Sequence, residues 1–166
     1  MEPPTVEEMR GRLAKVLGCY PWLLCEDGGE LLGYAYATRH REWAAYRWSV
    51  DTTIYVRQGR QRRGVGRALY TSLLAVLPLQ GYVNAYAGVT LPNPASVGLH
   101  EAMGFQSVGV YKQVGFKCGA WHDVARFQRH LQPPPAEPPP PRPLEEARHT
   151  AEWAEALHGG LRLLRD

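Results

Sequence analysis

The longest regular pattern in the chain is an alternation. From Tyr46 to Val56, Tyr46, Trp48, Val50, Thr52, Ile54 and Val56 fall on one face, and Arg47, Ser49, Asp51, Thr53 and Tyr55 on the other. That period of two predicts a strand. Asp51 in its middle is unfavourable for β structure and costly if buried unpaired, so its face is either open to solvent or the wall of a cleft. Pro21–Glu26 and Leu31–Thr38 predict two more strands, joined by the turn signal Asp27-Gly28-Gly29-Glu30. In the second, Tyr34, Tyr36 and Thr38 share a face, which reads as packed sheet surface.

Three stretches switch to helical spacing. Thr5-Val6-Glu7-Glu8 fits a capping box and opens a helix to about Val16, ending near Gly18. Val65, Leu69, Leu73 and Val76 line one face of a second helix, ended by Pro78 and Gly81. Asn93 as cap with Pro94 at the first helical position starts a third, which runs to Met103 before Gly104. Tyr82–Thr90, Phe105–Gln113 and Trp121–His130 complete the set as strands. The order describes a mixed α/β (α+β) domain, a central sheet flanked by helices.

Composition divides the 166 residues unevenly. Eight of the 14 prolines fall within Pro133–Pro143, a run that cannot supply amide donors and favours an extended polyproline segment. The expected layout is a body over residues 1–131, a Pro-rich linker over 132–143 and a tail over 144–166. In the tail, Leu144, Ala147, Ala151, Ala154 and Leu157 have helical spacing. The body carries a net charge of +5 and the remainder −2. No apolar run approaches the ~20 residues of a membrane-spanning helix, and Met1-Glu2-Pro3-Pro4 lacks the features of a secretory leader. Cys19, Cys25 and Cys118 form no CxxC pair, which argues against a disulfide framework or a Cys-rich zinc site. The expectation is a soluble cytoplasmic protein with reduced thiols, no bound metal and no membrane partner.

The charge is concentrated. Five arginines and no acid lie in Arg57–Arg67, between a strand and a helix start. A helix N-terminus offers unpaired N–H groups and a positive dipole end, and Gly64 and Gly66 let the backbone approach an anion closely. Arg62, Arg63 and Arg67 would add charge-assisted contacts to a phosphate or pyrophosphate. The loop is neither a P-loop nor a GxGxxG fingerprint, since Gly-Lys-Ser/Thr and the third glycine are both absent. A solvated basic loop is the alternative. Nucleic-acid binding is disfavoured, because the loop has no interleaved aromatics for bases to stack on.

Gln61-Arg62-Arg63-Gly64-Val65-Gly66 resembles the Q/R-x-x-G-x-G/A coenzyme motif of the GNAT N-acetyltransferase superfamily. Asn93 and Ser96, followed by His100-Glu101 and Met103-Gly104-Phe105, resemble that superfamily's later motif. The match is closer to the phosphinothricin N-acetyltransferase-like branch. Tyr20-Pro21-Trp22-Leu23, Ala45-Tyr46-Arg47-Trp48, Thr53-Ile54-Tyr55-Val56, Leu91-Pro92-Asn93-Pro94 and the stretch from Gly115 to Val124 carry it, in order.

The resemblance implies a GNAT fold with a mixed, mostly antiparallel sheet. It implies acetyl transfer from acetyl-CoA onto the primary amine of a small amino acid, by direct attack. Val56, Arg62, Arg63, Gly64, Val65, Gly66, Arg67, Asn93 and Ser96 would then serve the coenzyme, with the Val56 N–H facing the thioester oxygen. Asp51 stands where the branch has a glutamate base. Being one methylene shorter, it would act through an ordered water or by attracting the ammonium. His100 matches the family's second acid/base position, or is a histidine satisfied by local hydrogen bonds. Tyr55 shares the face of Asp51 and would orient acceptor or thioester, or is simply packed there.

Two departures qualify the match. The branch begins with about 35 further residues that form a first strand, a first helix and a wall of the acceptor site. Without them the Pro21–Glu26 strand becomes an exposed edge, and the 166-residue form is expected to be poorly soluble or inactive. In the acceptor-binding stretch Arg41 matches a lysine and Tyr46 is kept, but Trp43 replaces an arginine, which shifts the expectation from phosphinothricin towards a related amino acid. A homodimer is expected. The rival readings are a catalytically impaired acyl-CoA-binding protein and a peptide N-terminal acetyltransferase.

Overall fold

The structure, a computed structural model, describes residues 5–165, so Met1–Pro4 and Asp166 lie outside it. Helix α1 (Val6–Leu17) opens on the predicted capping box, in which Thr5 Oγ1 accepts from the Glu8 N–H and the Glu8 carboxylate accepts from the Thr5 N–H. Strands β1 (Trp22–Asp27) and β2 (Glu30–Arg39) form a hairpin. Its turn works because Gly28 and Gly29 both take positive φ, as a two-residue type I′ turn requires. Strand β3 (Ser49–Val56) leads into the arginine loop and helix α2 (Val65–Val76). Strand β4 (Asn84–Thr90), helix α3 (Pro94–Ala102) and the long hairpin β5 (Gln106–Lys117) and β6 (Ala120–His130) follow.

The six strands pair in the order β1-β2-β3-β4-β6-β5. Every pairing is antiparallel except β3–β4, and β1 stands at one edge. Alternation along the strands separates two faces. Ala35, Ala37, Val50, Ala85, Ala87 and Phe127 are buried in one core with Val65, Leu69 and Leu73 of α2. Small residues on the strands let the helix lie close. At Gly33 an added Cβ would stand 2.6 Å from the Tyr55 carbonyl oxygen, so no side chain fits there. The other face carries Trp22, Tyr34, Tyr36 and Tyr55. Trp22 lies flat on Tyr36, with ring centres 4.1 Å apart, and Tyr34 packs against Tyr55.

Several boundaries differ from the expectation. Tyr46 closes a 3-10 turn (Ala44–Tyr46), and β3 begins only at Ser49. Its i→i+3 bonds, Tyr46 N–H to Trp43 O and Arg47 N–H to Ala44 O, win over the alternating pattern. Strand β5 continues past Gln113 to Lys117 through an irregularity in register, with Gln113 at φ 47°.

The Pro-rich segment is anchored to the body. Trp48 Nε1 donates to the Pro139 carbonyl at 2.7 Å, and the Arg142 N–H donates to the Gln80 carbonyl at 2.7 Å. Two short helices, α4 (Leu144–Ala147) and α5 (Ala151–His158), follow where one was expected. Leu144 and Ala147 are buried, and the chain then returns along α2. At Gly160 an added Cβ would lie 2.1 Å from the Ala68 carbonyl oxygen, so tail and helix touch backbone to backbone.

Candidate active site

The parallel β3–β4 pairing is short. It joins Ser49 to Asn84, Val50 to Ala85 and Asp51 to Tyr86, and then stops, although β3 runs on to Val56 and β4 to Thr90. The two strands therefore fork, with Asp51 and Tyr86 at the apex. The Arg57 N–H donates to the Leu32 carbonyl of β2, and successive amides along a strand point to opposite edges. The N–H groups of Ile54 and Val56 consequently point into the fork, where β4 offers no ladder partner. A thioester carbonyl or an amide-bearing chain laid in the fork would find donors there.

At the far end of β3 the arginine loop has the shape of an anion cradle. Arg62 (φ 67°) and Gly64 (φ 81°) are left-handed on either side of Arg63, immediately before α2. Such alternation turns successive N–H groups into one concavity, and the N-terminus of α2 adds its dipole. The five arginines divide. Arg57 and Arg60 both pair with Glu30, which fixes the loop to β2. Among the described residues no carboxylate pairs with Arg62, Arg63 or Arg67, so these three remain for an external anion. Val65 is buried as the first residue of α2, and Gly66 packs against Leu99, which would stand 3.0 Å from an added Cβ. Asn93 caps α3 by accepting from the Ser96 N–H at 3.1 Å. The tail reaches this loop: the Arg165 N–H donates to the Arg63 carbonyl at 3.0 Å, and the Leu163 carbonyl abuts Gly64.

At the apex Asp51 holds two partners that the sequence did not single out. Arg126 of β6 donates to its Oδ1 at 2.9 Å, and His40, one residue past β2, to its Oδ2 at 3.1 Å. Arg126 gets there by lying over Gly88 of β4, where an added Cβ would stand 2.9 Å from its guanidinium. His40 stacks on Tyr86, with ring centres 4.2 Å apart, and meets the edge of Tyr46 at 6.2 Å. Alternation puts both side chains on the Asp51 face of the sheet without naming them as its partners. Tyr34, Tyr36 and Thr38 continue to His40, and Val124, Arg126 and Gln128 alternate with the buried Ala125 and Phe127.

The remaining candidates lie apart from this cluster. His100 is 3% exposed, on the core side of the sheet. Its Nδ1–H donates to the Ser96 carbonyl at 2.7 Å, and its Nε2 accepts from the Tyr70 hydroxyl at 2.9 Å. Burial holds its pKa below the ordinary histidine value, against the pull of the Ser96 carbonyl, so the ring is neutral. Burial pushes the Tyr70 phenol well up. Tyr55 shares the face of Asp51 but lies four residues along β3, about 13 Å away. It is half-exposed against Tyr34. Arg41 donates to the His40 carbonyl, Trp43 is 77% exposed, and of that trio Tyr46 is the one whose side chain meets the His40 ring.

Comparison with known proteins agrees with this geometry. A family model described as "Acetyltransferase (GNAT) domain" matches residues 1–125. A phosphinothricin N-acetyltransferase of Streptomyces viridochromogenes is 41% identical over 145 residues, covering 87% of this chain and 79% of the relative. An L-methionine sulfoximine/L-methionine sulfone acetyltransferase of Pseudomonas aeruginosa is 36% identical over 120 residues, covering 72% and 70%. Among solved structures, a phosphinothricin acetyltransferase from Sinorhizobium meliloti in complex with acetyl-CoA superposes with a TM-score of 0.75 at 34% identity, covering 82% of this chain and 77% of that one. The fork, the cradle and these likenesses lead to one conclusion: the chain belongs to the GNAT acetyltransferase family and is an acetyl-CoA-dependent N-acetyltransferase.

Proposed function

We propose that the protein acetylates the primary amine of a small amino acid, of the kind represented by phosphinothricin and methionine sulfoximine, at the β3–β4 fork. The single observation that carries this reading is the carboxylate of Asp51 at the apex, on the strand that leads directly to the cradle. Arg62, Arg63 and Arg67, with the amides around Gly64, Val65 and Gly66, would hold the coenzyme's pyrophosphate. Asn93 and Ser96 shape the start of α3 beside Gly66. Acetyl-CoA supplies the acyl group as a thioester, whose carbonyl would be met by the Val56 N–H.

An amine at neutral pH is mostly ammonium, and its lone pair is blocked until a proton is removed. Asp51 organises that step and attracts the cation. Both of its oxygens are already engaged, so it acts through an intermediary, for which an ordered water is the simplest candidate. Arg41 and Tyr46 flank the entry and suit the acceptor's acidic group, with Trp43 beside them. Tyr55 lines the same face further out. His100 reaches a leaving thiolate only if its bond to Tyr70 opens, and its role otherwise is to hold α3 against the core. Two copies pair through the β5–β6 hairpin, where Val108, Val110, Val114, Phe116 and Trp121 are exposed. The three unpaired thiols suit the cytoplasm.

The test is acetyl-CoA binding by calorimetry, followed by thiol release with a panel of amino acids. Binding without thiol release for any amine would leave an acyl-CoA-binding protein in place of an enzyme. Release only with peptides would move the acceptor to protein N-termini.

A further inference from the structure

We infer that the group which takes the proton from the acceptor amine is the imidazole of His40, with Asp51 as its positioning residue. This rests on the acetyl-transfer reading above and names the intermediary through which Asp51 acts. Asp51 is poorly placed to be the base itself. Its Oδ1 accepts from Arg126 and its Oδ2 from His40, so a proton arriving on either oxygen would have to displace a charged or strongly held donor. A carboxylate is also, as a class, a weaker base towards an ammonium than an imidazole.

His40 has the arrangement the task needs. Its Nδ1–H donates to Asp51, which places the lone pair on Nε2, on the far side of the ring from Asp51. No donor or acceptor among the described residues engages Nε2. The ring is clamped face-on by Tyr86 and edge-on by Tyr46, and its side chain is 11% exposed, which fixes its orientation. One clamp marks the fork directly: Tyr86 is the last residue paired before β3 and β4 separate.

The step balances. Nε2 of His40 takes one proton from the ammonium. The freed nitrogen lone pair forms the C–N bond to the thioester carbon as the C–S bond breaks, and the nitrogen's second proton ends on the departing sulfur. The products are the amide, the thiol and an imidazolium, whose proton passes to solvent. Asp51 stays ionised throughout and steadies the imidazolium. The charged and titratable groups facing His40 are Asp51 from β3, with Arg126 from β6 behind it, Tyr86 from β4 and Tyr46 from the 3-10 turn. Arg41 contacts only its carbonyl.

The test compares His40→Gln and Asp51→Asn with the parent. It uses amine-dependent thiol release across pH, acetyl-CoA affinity by calorimetry, and nitrogen NMR of the His40 ring. The expected result for His40→Gln is a fall in kcat of about 100-fold or more, loss of the acid limb of the kcat/KM profile, and unchanged acetyl-CoA affinity. Asp51→Asn should lower kcat and shift the His40 ring away from the Nδ1-protonated tautomer. In the parent, Nε2 should be the unprotonated nitrogen of the neutral ring. Retention of kcat and of the pH profile in His40→Gln, with loss in Asp51→Asn, would overturn the role of His40 and leave the acetyl-transfer reading intact. An Nε2-protonated neutral ring in the parent would overturn it as well. If the parent binds acetyl-CoA and no amine elicits thiol release, the acetyl-transfer reading fails and the inference fails with it.

Discussion

Gly64 joins the coenzyme loop to the tail, and Gly64→Ala separates two roles for one residue. Its φ of 81° costs an alanine about 1–2 kcal/mol. The new Cβ would also stand 1.9 Å from the Leu163 carbonyl oxygen, so loop and tail cannot both keep their places. Lifting the tail forfeits the Arg165 N–H to Arg63 bond and the Gly160 N–H to Ser72 Oγ bond, about 1 kcal/mol each, with part of the burial of Leu164. The entropy regained by the freed tail offsets some of this loss. In the full chain the substitution should therefore cost about 3 kcal/mol in urea denaturation. In a chain ending at His158 only the backbone cost of about 1–2 kcal/mol should remain. Acetyl-CoA affinity, read by calorimetry, should fall about tenfold or more in both backgrounds, because the cradle needs the left-handed residue. Equal stability costs in the two backgrounds would refute the tail contact. Unchanged affinity would refute the cradle.

Three further outcomes follow from the same geometry. Gly88→Val should push Arg126 off Asp51, cost about 1–3 kcal/mol in stability and slow amine acetylation while leaving acetyl-CoA affinity alone; wild-type stability and turnover would contradict it. Because burial holds the His100 pKa down, the unfolded chain takes up a proton that the folded chain refuses. Stability should thus fall as pH drops below about 6.5, by up to about 1.4 kcal/mol per pH unit, until the lowered folded-state value is reached. Thermal melts of His100→Phe should lack this component, and an identical pH slope would rule it out. Trp43→Arg, at an exposed site, should change stability by less than about 0.5 kcal/mol yet shift the acceptor profile towards phosphinothricin; an unchanged profile would remove Trp43 from the acceptor pocket.

Local rules made much of the fold legible. The capping box at Thr5, the paired glycines at Gly28 and Gly29 and the Asn93 cap each act within four residues, and the structure has all three. The alternation around Asp51 placed it on a face opposite Val50 and Thr52, and that separation holds. Long-range partners were not legible. Nothing near Asp51 in the chain announces Arg126, which is 75 residues away, or the Gly88 gap through which it reaches. The alternation through Thr38 could have pointed to His40. Tyr46 and Trp48 have strand spacing, but the indole of Trp48 is drawn to Pro139, 91 residues on, and Tyr46 is held in a turn. Proline composition suggested a spacer. The carbonyls and single amides that it leaves over are what bind Trp48 and Gln80 and fasten the segment to the body.

The central claim is that the fork and the arginine loop form one acetyl-transfer site. Its most direct test titrates acetyl-CoA into the 166-residue chain and then follows thiol release as small amino acids are added. Saturable binding is expected, lost in Gly64→Asp, together with thiol release that depends on a primary amine. Absence of binding, or binding with no amine-dependent thiol release, would contradict it.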